Sequence, residues 1–84
     1  MARDDPRELL STFGMVIREE RRRLGISQEE LADRAGLHRT YLGGIELGKR
    51  NAALLNLDRI ARALDISLGQ LFAAVDAARH PPKA

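Results

Sequence analysis

The sequence of 84 residues contains no cysteine, and this absence excludes a disulfide-stabilised scaffold, a thiol nucleophile and a cysteine-ligated zinc site. Long apolar runs are also missing: the longest has five residues, from Leu71 to Val75, and is too short to span a membrane. The first six residues carry no apolar segment, so we expect no secretory signal. Because no run of β-branched residues is long enough for a strand, the sequence favours a helical protein.

The sequence also lacks a large excess of charge of one sign. It has 14 basic and 12 acidic residues, so the net charge is only +2. Net charge alone therefore does not indicate a nucleic-acid partner. Lysine is scarce, at positions 49 and 83 only, so 12 of the 14 basic residues are arginines. Arginine favours such a partner, because its guanidinium pairs bidentately with phosphate and with guanine. An arginine-rich proteome explains the same bias equally well.

The length of the chain limits how much surface it can bury. A domain of this size without disulfides or metals buries about 60–65% of the surface of its unfolded chain. The composition, with 44% hydrophobic and 31% charged residues, is that of a folded protein. We therefore expect one domain that gains further burial by pairing with a second copy of itself.

Apolar residues recur at helical spacing along nearly the whole chain. The pattern predicts an all-α fold of five helices. Three lie at about residues 6–24, 28–35 and 38–47, and the other two are marked by apolar stripes at 57–64 and 68–75. Two serines, Ser27 and Ser67, are predicted N-caps, because Glu30 and Gln70 follow them at capping-box spacing. We expect a single domain over residues 1–84, with a core at about residues 7–78 and a flexible tail at 79–84.

The second and third predicted helices are short and are joined by a tight turn at Gly36, which is typical of a helix-turn-helix. The residues left outward on the third helix are polar or very small: Arg39, Thr40, Gly43, Gly44 and the edge of Tyr41. A helix with only a structural role would more often show Glu and Lys pairs on its outer face. The pattern therefore favours a helix that enters a DNA groove.

Three strings in this region resemble the lambda-repressor-like, Cro-type family, often called the XRE family. They are Ser-Gln-Glu-Glu-Leu-Ala at 27–32, Ile-Glu-x-Gly at 45–48, and Leu-x-x-Ile-Ala-x-Ala-Leu at 57–64. The resemblance covers about residues 13–72. Within the family, the string Arg-Thr-Tyr-Leu at 39–42 with Arg-Asn at 50–51 looks most like the controller proteins of restriction–modification systems.

The resemblance implies a sequence-specific DNA-binding transcriptional regulator. Such a protein binds a pseudopalindromic operator as a homodimer, with recognition helices about 34 Å apart. It acts on double-stranded DNA in the bacterial cytoplasm, associated with the nucleoid. It needs no cofactor, no metal, no membrane and no small-molecule ligand.

The resemblance also implies roles for single residues. The expected DNA-contacting set is Gln28, Arg39, Thr40, Tyr41, Gly43, Lys49, Arg50 and Asn51. Gln28 matches a phosphate-binding position at a helix start, and Arg39 and Thr40 match the first residues of the recognition helix, where base edges and nearby phosphates lie. Tyr41 matches a tyrosine that contacts phosphate or bases in the controller proteins. For Tyr41 the alternative is simple packing, and for the loop at 49–51 it is solvation. Two positions depart from the pattern: Gly43 replaces a frequent serine, and Leu47 replaces a frequent Arg or Asn.

Two further expectations concern structure. Arg21 and Glu46 match an Arg–Glu ion pair that ties the first helix to the third in the phage repressors. The fourth and fifth helices are expected to supply a dimer interface, because Leu68, Phe72 and Val75 add more apolar surface than one small core needs. The alternative is that these three residues close the monomer core.

Two other classes of function are an enzyme and a module that binds a protein partner. An enzyme is disfavoured, because the only histidines are His38 and His80 and no metal-ligand cluster or glycine-rich phosphate loop is evident. An antitoxin, or another helix-turn-helix module that binds a protein partner, is the alternative to a controller protein. The genes beside this one would separate the two.

Overall fold

A computed structural model describes residues 5–80. Within this range the chain forms five helices and no strand, as the sequence predicted. The helices are α1 (Pro6–Arg23), α2 (Gln28–Ala35), α3 (Arg39–Glu46), α4 (Leu54–Ala63) and α5 (Leu68–Arg79). Helix α5 continues to Arg79, so the first residue of the predicted tail is helical. The rest of the predicted tail, at 81–84, lies outside the described residues.

The helix ends follow the capping signals in the sequence, with one difference. The Ser67 hydroxyl accepts from the backbone N–H of Gln70, and the Gln70 side chain accepts from the backbone N–H of Ser67, which completes a capping box. At α2, Ser27 accepts from the backbone N–H of Glu30. The Glu30 carboxylate, however, accepts from Arg34 at 2.7 Å, one turn further along the same helix. At α2 only the Ser27 half of the capping box is therefore formed.

The core is a single cluster to which all five helices contribute. Its largest fully buried side chains are Ile17, Leu31, Leu42, Ile45, Ile60, Leu64 and Leu71. Helix α1 packs against α3 and α5, while α2 packs against α3 and α4. No helix within residues 5–80 combines the length and the apolar character needed to cross a bilayer.

Gly14 is buried inside α1, where a glycine weakens a helix by up to about 1 kcal/mol relative to alanine. The structure shows why it is there. A Cβ atom at this position would overlap the backbone carbonyl groups of Ile45 and Glu46 at the end of α3. The missing side chain therefore sets how closely α1 and α3 approach, and with it the position of α3.

The expected dimer-interface residues of α5 do not all face outward. Val75 is only 2% exposed and belongs to the monomer core, so its assignment to a dimer interface is wrong. Leu68 is half-buried against the same core. Phe72 is 37% exposed and packs edge-on against Phe13, with ring centroids 5.7 Å apart. Helical geometry places Val75 one turn beyond Leu71 on the buried side of α5, and the sequence pattern does not distinguish core from interface.

Candidate nucleic-acid interface

The turn between α2 and α3 is built by Gly36, whose φ of 69° lies in the left-handed region that side chains disfavour. The backbone N–H of Leu37 then donates to the carbonyl of Ala32 at 2.9 Å, which closes the turn. Ala32 is almost completely buried, and its small side chain lets α3 pack closely against α2. The two helices form the helix-turn-helix expected from the sequence.

Helix α3 has two sides that differ in composition. Leu42, Ile45 and Glu46 are buried on the inner side. On the outer side, the residues at 40, 43, 44 and 47 follow the i, i+3, i+4, i+7 spacing of a single helical face. This outer side holds one hydroxyl, two glycines and Leu47, which is 60% exposed. Its low profile allows another molecule to approach the helix backbone closely.

Arg39 and Thr40 occupy the first turn of α3 and are both exposed. No ion pair holds Arg39 to any of residues 5–80. Its guanidinium therefore keeps its donors for an external acceptor. The N-cap of this helix, His38, makes no side-chain hydrogen bond to the helix.

A buried ionic network joins α1, α2 and α3. Arg21 donates from Nε to Glu46 Oε2 at 2.8 Å and from Nη2 to Glu46 Oε1 at 2.9 Å, so the pair implied by the resemblance is formed. The side chains are 12% and 1% exposed, respectively. The hydrogen bonds to Glu46 raise the pKa of Arg21 above its ordinary value, against a smaller opposing effect of burial. The guanidinium thus neutralises the one carboxylate that lies on the recognition helix.

Gln28 is attached to this network. Its Nε2 donates to Glu46 Oε1 at 3.0 Å, and its side chain lies beside Gly43, where an added Cβ would come 3.5 Å from Gln28 Oε1. A primary amide has two N–H donors and an acceptor oxygen, so one donor and the oxygen remain for other partners. The structure therefore holds Gln28 and Gly43 together at one edge of α3.

A second cluster lies at the opposite edge of α3, around Tyr41. Its ring is half-buried, and its hydroxyl oxygen accepts from Asn56 Nδ2 at 3.1 Å. The guanidinium carbon of Arg50 lies 5.9 Å from the ring centroid, in cation–π range. The Arg50 chain also passes over Gly44, where a Cβ would come 2.7 Å from Arg50 Cγ. Tyr41 is therefore packed, as the alternative interpretation held, and still reaches the edge of the outer side.

The loop after α3 begins at Gly48, whose φ of 74° turns the chain back against Ser11 of α1. The backbone N–H of Lys49 donates to the carbonyl of Gly44 at 2.8 Å. Lys49, Arg50 and Asn51 are all exposed in this loop. The chain thus places the two adjacent basic residues beside the outer side of α3.

Sequence reasoning missed two residues that shape this region. Asn56 lies outside the apolar stripe that marked the fourth helix, in the first turn of α4, which begins at Leu54. Gly14 was given no role from the sequence, although its missing side chain sets the approach of α1 to α3. A glycine at an otherwise good helical position is a signal of close packing, but Asn56 carried no signal in the sequence.

Comparison with known families agrees with this geometry. The family model described as Helix-turn-helix (HTH_3) matches residues 17–71, which include all of α2, α3 and α4. The chain belongs to this helix-turn-helix family, and it is a DNA-binding transcriptional regulator. The family is one of regulators rather than of enzymes.

The individual relatives are more specific. Control protein C.MunI of Mycoplasma sp is 40% identical over 65 residues, which cover 76% of this chain and 88% of that protein. Control protein C.BamHI of Bacillus amyloliquefaciens is 44% identical over 55 residues, covering 64% and 68%. The chain is therefore similar to control proteins over most of its length.

Solved structures point the same way. The restriction–modification controller protein C.AhdI from Aeromonas hydrophila matches with a TM-score of 0.73 and 49% identity, over 75% of this chain and 96% of that one. Wild-type C.Esp1396I, another restriction–modification controller protein, matches with a TM-score of 0.76 and 37% identity, over 81% and 90%. Single-residue variants of C.Esp1396I have been solved at a consecutive arginine, threonine and tyrosine. This chain carries the same three residue types in the same order at 39–41.

Proposed function

We propose that this protein binds a pseudopalindromic operator as a homodimer and controls transcription of a restriction–modification system, in the bacterial cytoplasm at the nucleoid. The observation that carries the proposal is the low, exposed outer side of α3 bordered by basic residues free of intramolecular ion pairs within residues 5–80. The names of the relatives favour a controller protein over an antitoxin.

The DNA contacts divide by chemistry. Arg39 and Thr40, on the first turn of α3, are positioned for base edges in the major groove, where a guanidinium pairs with guanine O6 and N7. Lys49, Arg50 and Asn51 lie beyond the helix end and are assigned to phosphates. These groups follow the backbone of the duplex on the side where the loop leaves α3.

The other contacts lie at the edges of α3. Gln28 is assigned to a phosphate, which its free N–H and the start of α2 would bind. Gly43 donates no side-chain hydrogen bond. Because it has no side chain, the DNA can approach the backbone of α3 at this position. Tyr41 lies between the base-reading and the phosphate-binding groups.

The homodimer is proposed to use apolar surface that the monomer leaves exposed. Leu54 and Leu55, at the start of α4, are 61% and 72% exposed, which is more than any other large apolar side chain described. Phe72 of α5 adds a partly exposed ring. Two copies related by a two-fold axis would place their recognition helices about 34 Å apart, matching half-sites about 10–11 base pairs apart.

Footprinting the protein on the DNA upstream of its own gene tests the proposal. We expect protection of a pseudopalindrome with the spacing above. Ultracentrifugation at micromolar concentration should show a dimer, and Leu55→Asp should give a folded monomer that binds this DNA weakly. Met15→Asp, which adds the same charge at a 40% exposed position of α1, is the control and should remain dimeric. A monomeric wild type, or protection without two-fold symmetry, would contradict the proposal.

A further inference from the structure

The contact between Asn56 and Tyr41 determines which way a hydrogen-bond donor points. A phenol has one O–H donor, and its oxygen can also accept. In this structure the oxygen accepts from Asn56 Nδ2 at 3.1 Å. The phenolic hydrogen lies near the plane of the ring and avoids the side occupied by an incoming N–H. The hydroxyl therefore donates away from Asn56.

We propose that Asn56 is a positioning residue for DNA recognition: its amide holds the Tyr41 hydroxyl as an acceptor and so directs the O–H of Tyr41 toward acceptors on the DNA. The proposal rests on the proposed function, in which the outer side of α3 meets the duplex. Phosphate oxygens and several base-edge atoms are acceptors, so a hydroxyl that donates away from Asn56 can bind groups that DNA offers.

The surroundings of the pair support a positioning role. Asn56 is the third residue of α4, a different helix from the one that carries Tyr41, and both side chains are half-buried. The Arg50 guanidinium lies 5.9 Å from the centre of the Tyr41 ring. The ring is thus covered by Arg50 at its face, and its hydroxyl is held by Asn56. A polar group that is held in place before binding loses little entropy when it binds.

Asn56→Asp is the most direct test, because it replaces the N–H donor by an acceptor of the same shape. The Tyr41 O–H would then turn inward to the carboxylate and be lost to the DNA. The fold should tolerate the change, since a carboxylate is favoured in the first turn of a helix. The added negative charge also repels DNA, so the variant must be compared with Asn56→Asp in a Tyr41→Phe background, where only the charge acts.

The measurement is a double-mutant cycle of affinity for the footprinted upstream DNA, with thermal unfolding of each variant as the check on folding. We expect Asn56→Asp to weaken binding about tenfold more in the wild type than in the Tyr41→Phe protein. Asn56→Ala, which frees the hydroxyl without adding charge, should show a smaller coupling, of about threefold, in the same direction. Equal losses in both backgrounds would overturn the proposal, as would an Asn56→Asp protein that binds like the wild type.

A scrambled duplex of the same length distinguishes the two kinds of acceptor. Coupling of the same size on both duplexes assigns the Tyr41 O–H to a phosphate, whereas coupling only on the upstream DNA assigns it to a base edge. Failure of the proposed function has a different signature. In that case the wild-type protein itself would show no preference for its upstream DNA over the scrambled duplex.

Discussion

The two sides of α3 obey different physical requirements. The inner side is packed against the rest of the protein. Ile45 and Glu46 lie against Gly14 of α1. The Glu46 carboxylate also accepts hydrogen bonds from Arg21 and Gln28. The outer side holds small residues and an exposed leucine. Its flanking cation Arg39 forms no ion pair with any residue in the described part of the chain.

The difference shows how one helix of eight residues serves both fold and function. A helix that must enter a groove has to be held rigidly from behind, because few contacts remain on the side that it offers. A change on the inner side should therefore act on stability, and a change on the outer side on DNA affinity. The following predictions test this division, beginning with the largest effect.

Gly14→Ala should be the most damaging single change. Its Cβ would meet backbone carbonyl groups of Ile45 and Glu46, which cannot rotate away as a side chain can. We expect a loss of about 3 kcal/mol in the free energy of unfolding, measured by urea denaturation. Gly69→Ala in α5 is the control, because its nearest neighbour would be Ser67 Oγ at 3.8 Å. It should gain about 0.5 kcal/mol. Equal stabilities for the two variants would show that α1 and α3 can separate freely.

Removing one partner of the Arg21–Glu46 pair should cost about 1–4 kcal/mol of stability, because the other charge is left partly buried. The two alanine variants should be clearly non-additive in a double-mutant cycle. The exposed Arg62–Asp58 pair, at 3.1 Å within one helix, provides the comparison and should couple by no more than about 0.5 kcal/mol.

The pH dependence of the same pair follows from the raised pKa of Arg21. A raised pKa means that the folded state favours the charged guanidinium, so this stabilisation is present below the ordinary arginine pKa and is lost only above it. The difference in unfolding free energy between wild type and Arg21→Ala should therefore not change from neutral to mildly alkaline pH. If this difference decreased between neutral and mildly alkaline pH, a group other than Arg21 would be responsible for the pH dependence.

On the outer side, Arg39→Ala should leave stability almost unchanged and cost about 1–3 kcal/mol of affinity for the operator, with relaxed preference at one base pair in each half-site. Arg50→Ala should weaken binding to operator and scrambled DNA alike and lower the salt dependence by about one charge per subunit. Titrating both variants against both duplexes at two salt concentrations separates the roles. If Arg39→Ala loses equal affinity for the two duplexes, Arg39 binds a phosphate.

Gly44→Ala should not destabilise the fold as Gly14→Ala does, although its Cβ would also come close to another atom, Arg50 Cγ at 2.7 Å. The neighbour here is the side chain of Arg50, which is exposed and can move. Because alanine favours a helix more than glycine does, the substitution stabilises α3 by up to about 1 kcal/mol. We therefore expect a thermal midpoint equal to or slightly above that of the wild type. The displaced Arg50 should lower DNA affinity. A destabilisation as large as that of Gly14→Ala would contradict the proposed difference between the two sides.

Much of this protein could be predicted from local patterns. The number of helices, the starts of α2 and α5 and the helix-turn-helix followed from apolar periodicity, serine caps and Gly36. The Arg21–Glu46 pair came from resemblance, since nothing local links residues 25 positions apart. The assignment of Val75 failed because an apolar stripe has the same appearance whether it faces a core or a partner.

The sequence by itself determined the helices, because capping and periodicity act over a few neighbouring residues. Only the tertiary structure decided how the helices serve one another. It placed Gly14 under the end of α3, Gln28 on the carboxylate of Glu46, and Asn56 on the hydroxyl of Tyr41. These contacts join residues that are distant in the chain, and their geometry exists only once the packing of whole helices has brought them together.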